Sequence, residues 1–296
     1  MVQLRLDDNR TPVALSVVPG AITVVAAPAR FAARASTVLA LAGSAFVWLA
    51  LLGPLAVLVS RVSPRSVRAS LGPAGALGPL YVSLGASAIA LGVVVVLGTP
   101  LAYLLARGRL PVPRVVELGV ILPLMLPPLV IGLLLVFLIG PQGTLGNLLA
   151  HVHLTGTNTF FALVVAEFYE AGPFYILGAH AAFASVDVRV EQDAMLLGDR
   201  PVQAFRRITL PLAAPGLAMG LATAWARAMG AFGAVVIIAY FPRGLPLQIF
   251  ISMQEYGLSG ALPFALLLVV AALPLPVLAY LWSARARSRT SGLDLT

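Results

Sequence analysis

Residues 191–211 read Glu-Gln-Asp-Ala-Met-Leu-Leu-Gly-Asp-Arg-Pro-Val-Gln-Ala-Phe-Arg-Arg-Ile-Thr-Leu-Pro, a polar stretch between two long apolar segments. The order predicts a short helix, a glycine break, a second short helix and an Ile-x-Leu-Pro lead into a membrane span. Val186, Val190, Ala194 and Leu197 recur at helical steps and are expected to form one apolar stripe. Gly198 suits a left-handed helix end, and Pro201 suits the first turn of the next helix. Val202, Phe205 and Ile208 repeat every three residues there, with Arg206 and Arg207 beside them near the membrane surface. A compact helical pair with exposed anchors fits a groove in another protein. The competing reading is an amphipathic linker lying on lipid headgroups, with the two arginines snorkelling.

Composition places this stretch in a membrane protein. The chain is 60% hydrophobic and 10% charged, with a mean hydropathy of +0.98, whereas a soluble domain carries about 25% charged residues. Its 296 residues leave room for about five or six spans of ~20 residues. The net charge of +8 comes from Arg alone, because the chain has no Lys. Excess Arg on such a chain sets topology rather than binding nucleic acid. A phosphate-binding Walker A loop needs a Lys, so ATP-driven work would require a separate subunit. With no Cys, disulfides, thiol chemistry and Cys-ligated metals are excluded. Asp7 and Asp8 break any positive leader region at the N-terminus. Residues 12–27 are apolar but interrupted by Pro19 and Gly20, which leaves a surface segment or a hairpin open.

Six segments are long and apolar enough to cross, near 35–60, 79–106, 115–139, 159–184, 213–240 and 261–282. They divide the chain into an N-terminal segment 1–34, a transmembrane domain 35–282 holding the loop 185–212, and a tail 283–296. Arg residues fall unevenly about these spans. Fourteen lie in the N-terminal segment, the second and fourth gaps and the tail; four (Arg61, Arg65, Arg68 and Arg243) lie on the other side. The positive-inside rule then puts both termini and the loop in the cytoplasm. Pro123, Pro127, Pro128, Pro173, Pro274 and Pro276 interrupt spans, and the freed carbonyls need protein or a water-filled path as neighbours. Gly216 and Gly220 form a small-xxx-small step that permits close helix approach.

Glu167 and Glu170 lie on one face of the fourth span, and Arg227 lies on the fifth. A charge at mid-bilayer costs about 2.5–3.5 kcal/mol on insertion scales, so a Glu–Arg pair between spans is the economical arrangement. His180 reads as a cap or interface residue, and His151 and His153 as members of an ordinary outer loop. No metal site, cofactor motif or catalytic constellation is expected.

The loop resembles the cytoplasmic coupling loop of permease subunits of ATP-binding-cassette (ABC) importers. Those permeases carry Glu-Ala-Ala-x-x-x-Gly followed by Ile-x-Leu-Pro, and Gly198, Ile208, Leu210 and Pro211 keep that spacing. The start departs from it: the Glu position falls on Gln192 or, shifted by one, on Glu191, and Asp193 replaces the first Ala before Ala194. Residues 98–109, 121–132 and 185–189 resemble further segments of the same family. Residues 226–234, Ala-Arg-Ala-Met-Gly-Ala-Phe-Gly-Ala, resemble a segment of molybdate and sulfate permeases, with Ala231 where a Glu is usual.

The resemblance implies an all-α helical bundle of about six spans with the type I importer permease fold, in a prokaryotic plasma (inner) membrane. It implies a homodimer that meets a cytoplasmic ABC ATPase and an extracytoplasmic binding protein. Glu191, Gln192, Asp193, Ala194, Gly198, Pro201, Phe205, Arg206, Ile208, Leu210 and Pro211 would couple to the ATPase. Arg227, Gly230, Phe232, Glu167 and Glu170 would line the path. Molybdate or tungstate is the first choice of cargo, and sulfate or thiosulfate the second. An ion-coupled secondary transporter is the alternative of another class, but it leaves residues 185–212 without a role, and no internal repeat supports it.

Overall fold

A computed structural model describes residues 28–63 and 77–291, and every described element is helical. The apolar segment 12–27, Arg65 and Arg68 lie outside the described residues. Two compact units emerge, one ending at Val57 and one from Leu58 onward. The described residues of the first form helix α1, Pro28–Arg61, which runs past the boundary. Leu39, Phe46 and Trp48 on it are 77%, 71% and 65% exposed, an apolar surface suited to lipid.

The second unit is built around α6, Phe160–Ala184, which packs against α2, Leu77–Ala106, and α9, Leu210–Met229. Small residues allow this. A methyl added at Gly178 would stand 2.8 Å from the Cα of Gly220, and one at Gly216 would stand 2.6 Å from the Cβ of Ala182. The glycine step on α9 thus brings two backbones together where lipid offers no hydrophobic drive for association. Ala171, Ala179, Ala182, Ala213, Ala224 and Ala228 fill the same interface around Tyr175 and Phe183. A second cluster joins the start of α6 to α4, Pro128–Ile139, and α10, Gly233–Ile238.

The proline-rich third segment divides into α3, Pro113–Met125, and α4, which meet at 116°. Pro127 and Pro128 supply the break, since neither can donate to a continuing helix. Pro173, in contrast, is buried inside an unbroken α6. The expected outer loop that holds His151 and His153 contains a short helix, α5, Gly146–His151.

One expected span is corrected. The segment expected to cross at 213–240 does not stay helical: its helix stops at Met229, and residues 233–238 form the separate α10. Gly233 lies so close to α4 that an added methyl would meet the Cβ of Pro128 at 2.4 Å. Between the fifth and sixth expected spans α11, Leu245–Ala272, begins, and it kinks at Gly257, whose φ of 71° belongs to the left-handed region. Past that kink the helix runs on to Ala272 and, after Leu273, into α12, Pro274–Ser291, so the segment expected near 261–282 is helical on both sides of Leu273.

Candidate functional site

The polar stretch folds as two short helices: α7, Val188–Leu196, and α8, Pro201–Ala204. The Asp187 side chain accepts a hydrogen bond from the Arg189 N–H at 2.9 Å and caps α7. Gly198, with φ +105°, ends it. The Gly198 N–H bonds to Met195 O at 3.1 Å and the Asp199 N–H to Ala194 O at 3.0 Å, the paired closure of a Schellman motif. The expected helix, glycine break and second helix are therefore present.

The second helix is not a separate unit, however. α8 runs through a π-helical turn, Phe205–Thr209, directly into α9. The wide turn bonds the Leu210 N–H to Phe205 O just before Pro211, which has no N–H to offer. Within it Arg207 Nη1 donates to Asp199 Oδ1 at 2.9 Å, drawing the start of α8 back onto the span.

The expected stripe of Val186, Val190, Ala194 and Leu197 is corrected. Val186 and Ala194 are buried, but Val190 is 44% and Leu197 91% exposed. The inward position beside Ala194 belongs to Glu191, which is 2% exposed. A charged residue displaces the valine because its partners wait inside. The Tyr103 hydroxyl donates to Glu191 Oε1. Arg107 approaches Oε2 through Nε at 3.0 Å and Nη2 at 2.9 Å, and Thr209 Oγ1 donates to Oε2 at 3.1 Å. Arg107 Nη1 donates to Phe183 O and Val186 O, both at 3.2 Å. Burial pushes the Glu191 carboxyl up, but the hydrogen bonds from Tyr103 and Thr209 and the Arg107 guanidinium outweigh it and hold it below the usual carboxylate range.

What α7 and α8 present outward is different. Gln192, Asp193, Gly198, Pro201 and Arg206 are exposed. Leu196 at 85%, Leu197 at 91% and Val202 at 68% form an apolar tip flanked by polar groups. Of the residues expected to meet a partner, Glu191 and Ala194 face inward, Phe205 and Ile208 are half-buried, and Leu210 and Pro211 sit exposed at the start of α9. Tyr103, Arg107 and Thr209 are the site residues that sequence reasoning missed. Arg107 stood out only as a topology charge; its place directly after an apolar helix was the available signal.

A second constellation lies within the bundle. Arg227 Nη2 stands 2.8 Å from Glu170 Oε2, with the Glu170 side chain fully buried and that of Arg227 34% exposed. Glu170 Oε1 accepts the Ala234 N–H at 3.2 Å, which joins α6 to both α9 and α10. Arg227, Gly230, Phe232 and Glu170 border one hollow of about 400 Å³, with Pro127, Pro128, Leu129 and Gly233 completing its wall. Four of the five expected path residues are thus brought together. Glu167 is buried and does not line the hollow. Ala231 is 2% exposed within the apolar cluster beside α4.

Residues 96–291 match the family described as "Binding-protein-dependent transport system inner membrane component". Among curated relatives, the "Probable molybdenum ABC transporter permease protein" of Haloferax volcanii is 41% identical over 216 residues, spanning 73% of this chain and 79% of its own length. A molybdate/tungstate transport system permease protein of Thermococcus kodakarensis is 33% identical, with coverage of 63% and 70%. A solved bacterial ABC transporter for import of the polysaccharide alginate shares the fold alone. It has a TM-score of 0.66 at 18% identity and covers 86% of this chain and 98% of its own.

Proposed function

Since the chain belongs to the family of binding-protein-dependent transport inner membrane components, we propose that it is the membrane permease subunit of an ABC importer for a tetrahedral oxyanion, molybdate or tungstate first. The observation that carries the coupling role is the exposed apolar tip of Leu196, Leu197 and Val202, held on a base whose only buried carboxylate among α7 residues is fully partnered. Such a knob fits the groove of a separate ATPase. The chain supplies no Lys for a phosphate loop of its own.

Two copies would enclose one path, with both termini and α7–α8 on the cytoplasmic side, as the Arg distribution favours. A binding protein would deliver cargo from the opposite side. ATP-driven closure of the ATPase pair would draw the two tips together and tilt the spans behind them. Along the path, Arg227 offers a guanidinium whose charge Glu170 already balances. A passing anion would meet hydrogen-bond donors without a deep electrostatic trap, which suits a conduit that must release what it admits.

Replacing Leu196 and Leu197 by Asp tests the coupling role. Both are too exposed for folding to depend on them, so the chain should insert normally and lose the co-purifying ATPase. Retention of the ATPase by this variant would refute the docking assignment. Titration of the partner binding protein with molybdate, tungstate and sulfate decides the cargo, and a preference for sulfate would move the system to the sulfate/thiosulfate alternative. The ion-coupled secondary transporter has no support from the family match.

A further inference from the structure

The carboxylate at the heart of the coupling element does not face the surface that a partner would grip. Glu191 and Arg107 side chains are each 2% exposed. Burying an ion pair is repaid only when its remaining donors and acceptors are satisfied. Here both oxygens of Glu191 accept hydrogen bonds, from Tyr103 and Arg107 on the α2 side and from Thr209 in the π-helical turn. Arg107 spends another nitrogen on Phe183 O and Val186 O at the end of α6. Phe183 O also takes the Val186 N–H at 3.2 Å, and a cation beside these carbonyls complements the helix dipole.

Aromatic rings close the node against water. Tyr103 meets Phe205 edge-on at 4.9 Å and Phe183 at 5.6 Å. The glycine turn at Gly198 lies between α7 and α8, on the tip side of the node. From α7 the mechanical path therefore passes through Glu191 into α2 and α6, and from α8 it passes along an unbroken helix into α9. No glycine hinge intervenes on either route.

We infer that Glu191 is a positioning residue that locks α7 to the cytoplasmic ends of α2, α6 and α9, so that the coupling element moves with these spans as one rigid body while the ATPase grips other side chains. This rests on the coupling-loop reading above.

The test uses the complete transporter, with ATPase and binding protein, in lipid vesicles. Glu191→Gln keeps the shape and removes the charge. It should retain the ATPase and its ATP hydrolysis but lower uptake per ATP hydrolysed about tenfold, with Glu191→Asp recovering part of it. A second measurement keeps Glu191 and all of its hydrogen-bond partners. The chain has no Cys, so Arg189→Cys and Arg109→Cys, both at exposed positions, accept spin labels in labelled chain diluted with unlabelled chain. The distance between labels should be the same in nucleotide-free and ATP-trapped states. A shift between those states would overturn the inference. So would an unchanged uptake-to-hydrolysis ratio in Glu191→Gln, or loss of the ATPase from it, which would make Glu191 a contact residue. Absence of any ATPase on the wild-type chain would instead bring down the coupling reading, and this inference with it.

Discussion

Arg107 and Glu191 are eighty-four residues apart in the chain, yet guanidinium and carboxylate meet at 2.9 Å. Removing one partner leaves the other charge buried. Arg107→Ala should therefore destabilise the protein by about 3–5 kcal/mol, while a paired Arg107→Met, Glu191→Leu replacement should cost much less. Thermal unfolding in detergent measures both, and a wild-type melting curve for Arg107→Ala would show that the pair carries no stability.

The same carboxyl makes stability depend on pH. Its folded-state pKa lies below the ordinary value of 4.5, so the unfolded chain binds its proton first as pH falls. The contribution is complete above that ordinary value and is lost as pH drops through the lowered one. Wild type should lose stability more steeply than Glu191→Gln on acidification below that range. Parallel curves would contradict the assignment.

Close approach of α6 and α9 makes a further prediction. An alanine methyl at Gly178 would press on the Gly220 Cα at 2.8 Å, whereas at Gly92 it would meet nothing within 4 Å. Gly178→Ala should cost about 1–3 kcal/mol from overpacking, and Gly92→Ala should be neutral or slightly stabilising. Equal melting temperatures for the two variants would rule out the tight backbone contact.

Arg227 and Glu170 can be tested as path residues only if both charges leave together, since either alone would be stranded. The double replacement Glu170→Gln, Arg227→Gln should insert and bind the ATPase as wild type does. Uptake of molybdate should fall at least about tenfold, the equivalent of about 1.4 kcal/mol of lost stabilisation for the passing anion. Undiminished uptake would make the pair purely structural.

Much of this architecture follows from local chemistry. Apolar runs of membrane length, prolines that cannot donate, and a glycine that tolerates a left-handed turn act within a few residues of themselves. The spans, the break at Pro127–Pro128 and the Gly198 closure were therefore legible in the amino-acid order. The face of α7 that turns inward was not. Val190 and Glu191 are neighbours, and hydrophobicity alone favours burying the valine. What reverses that preference is Arg107, with Tyr103 and Thr209, arriving from distant parts of the chain to satisfy a charge that would otherwise stay in water. The seat of α10 is of the same kind, because the need for a bare glycine at Gly233 arises only once Pro128 of α4 stands behind it. Short-range propensities thus determined which elements exist, whereas packing across the bundle decided which side chains meet, since the energy of a buried charge or a backbone contact depends on neighbours that only the folded chain assembles.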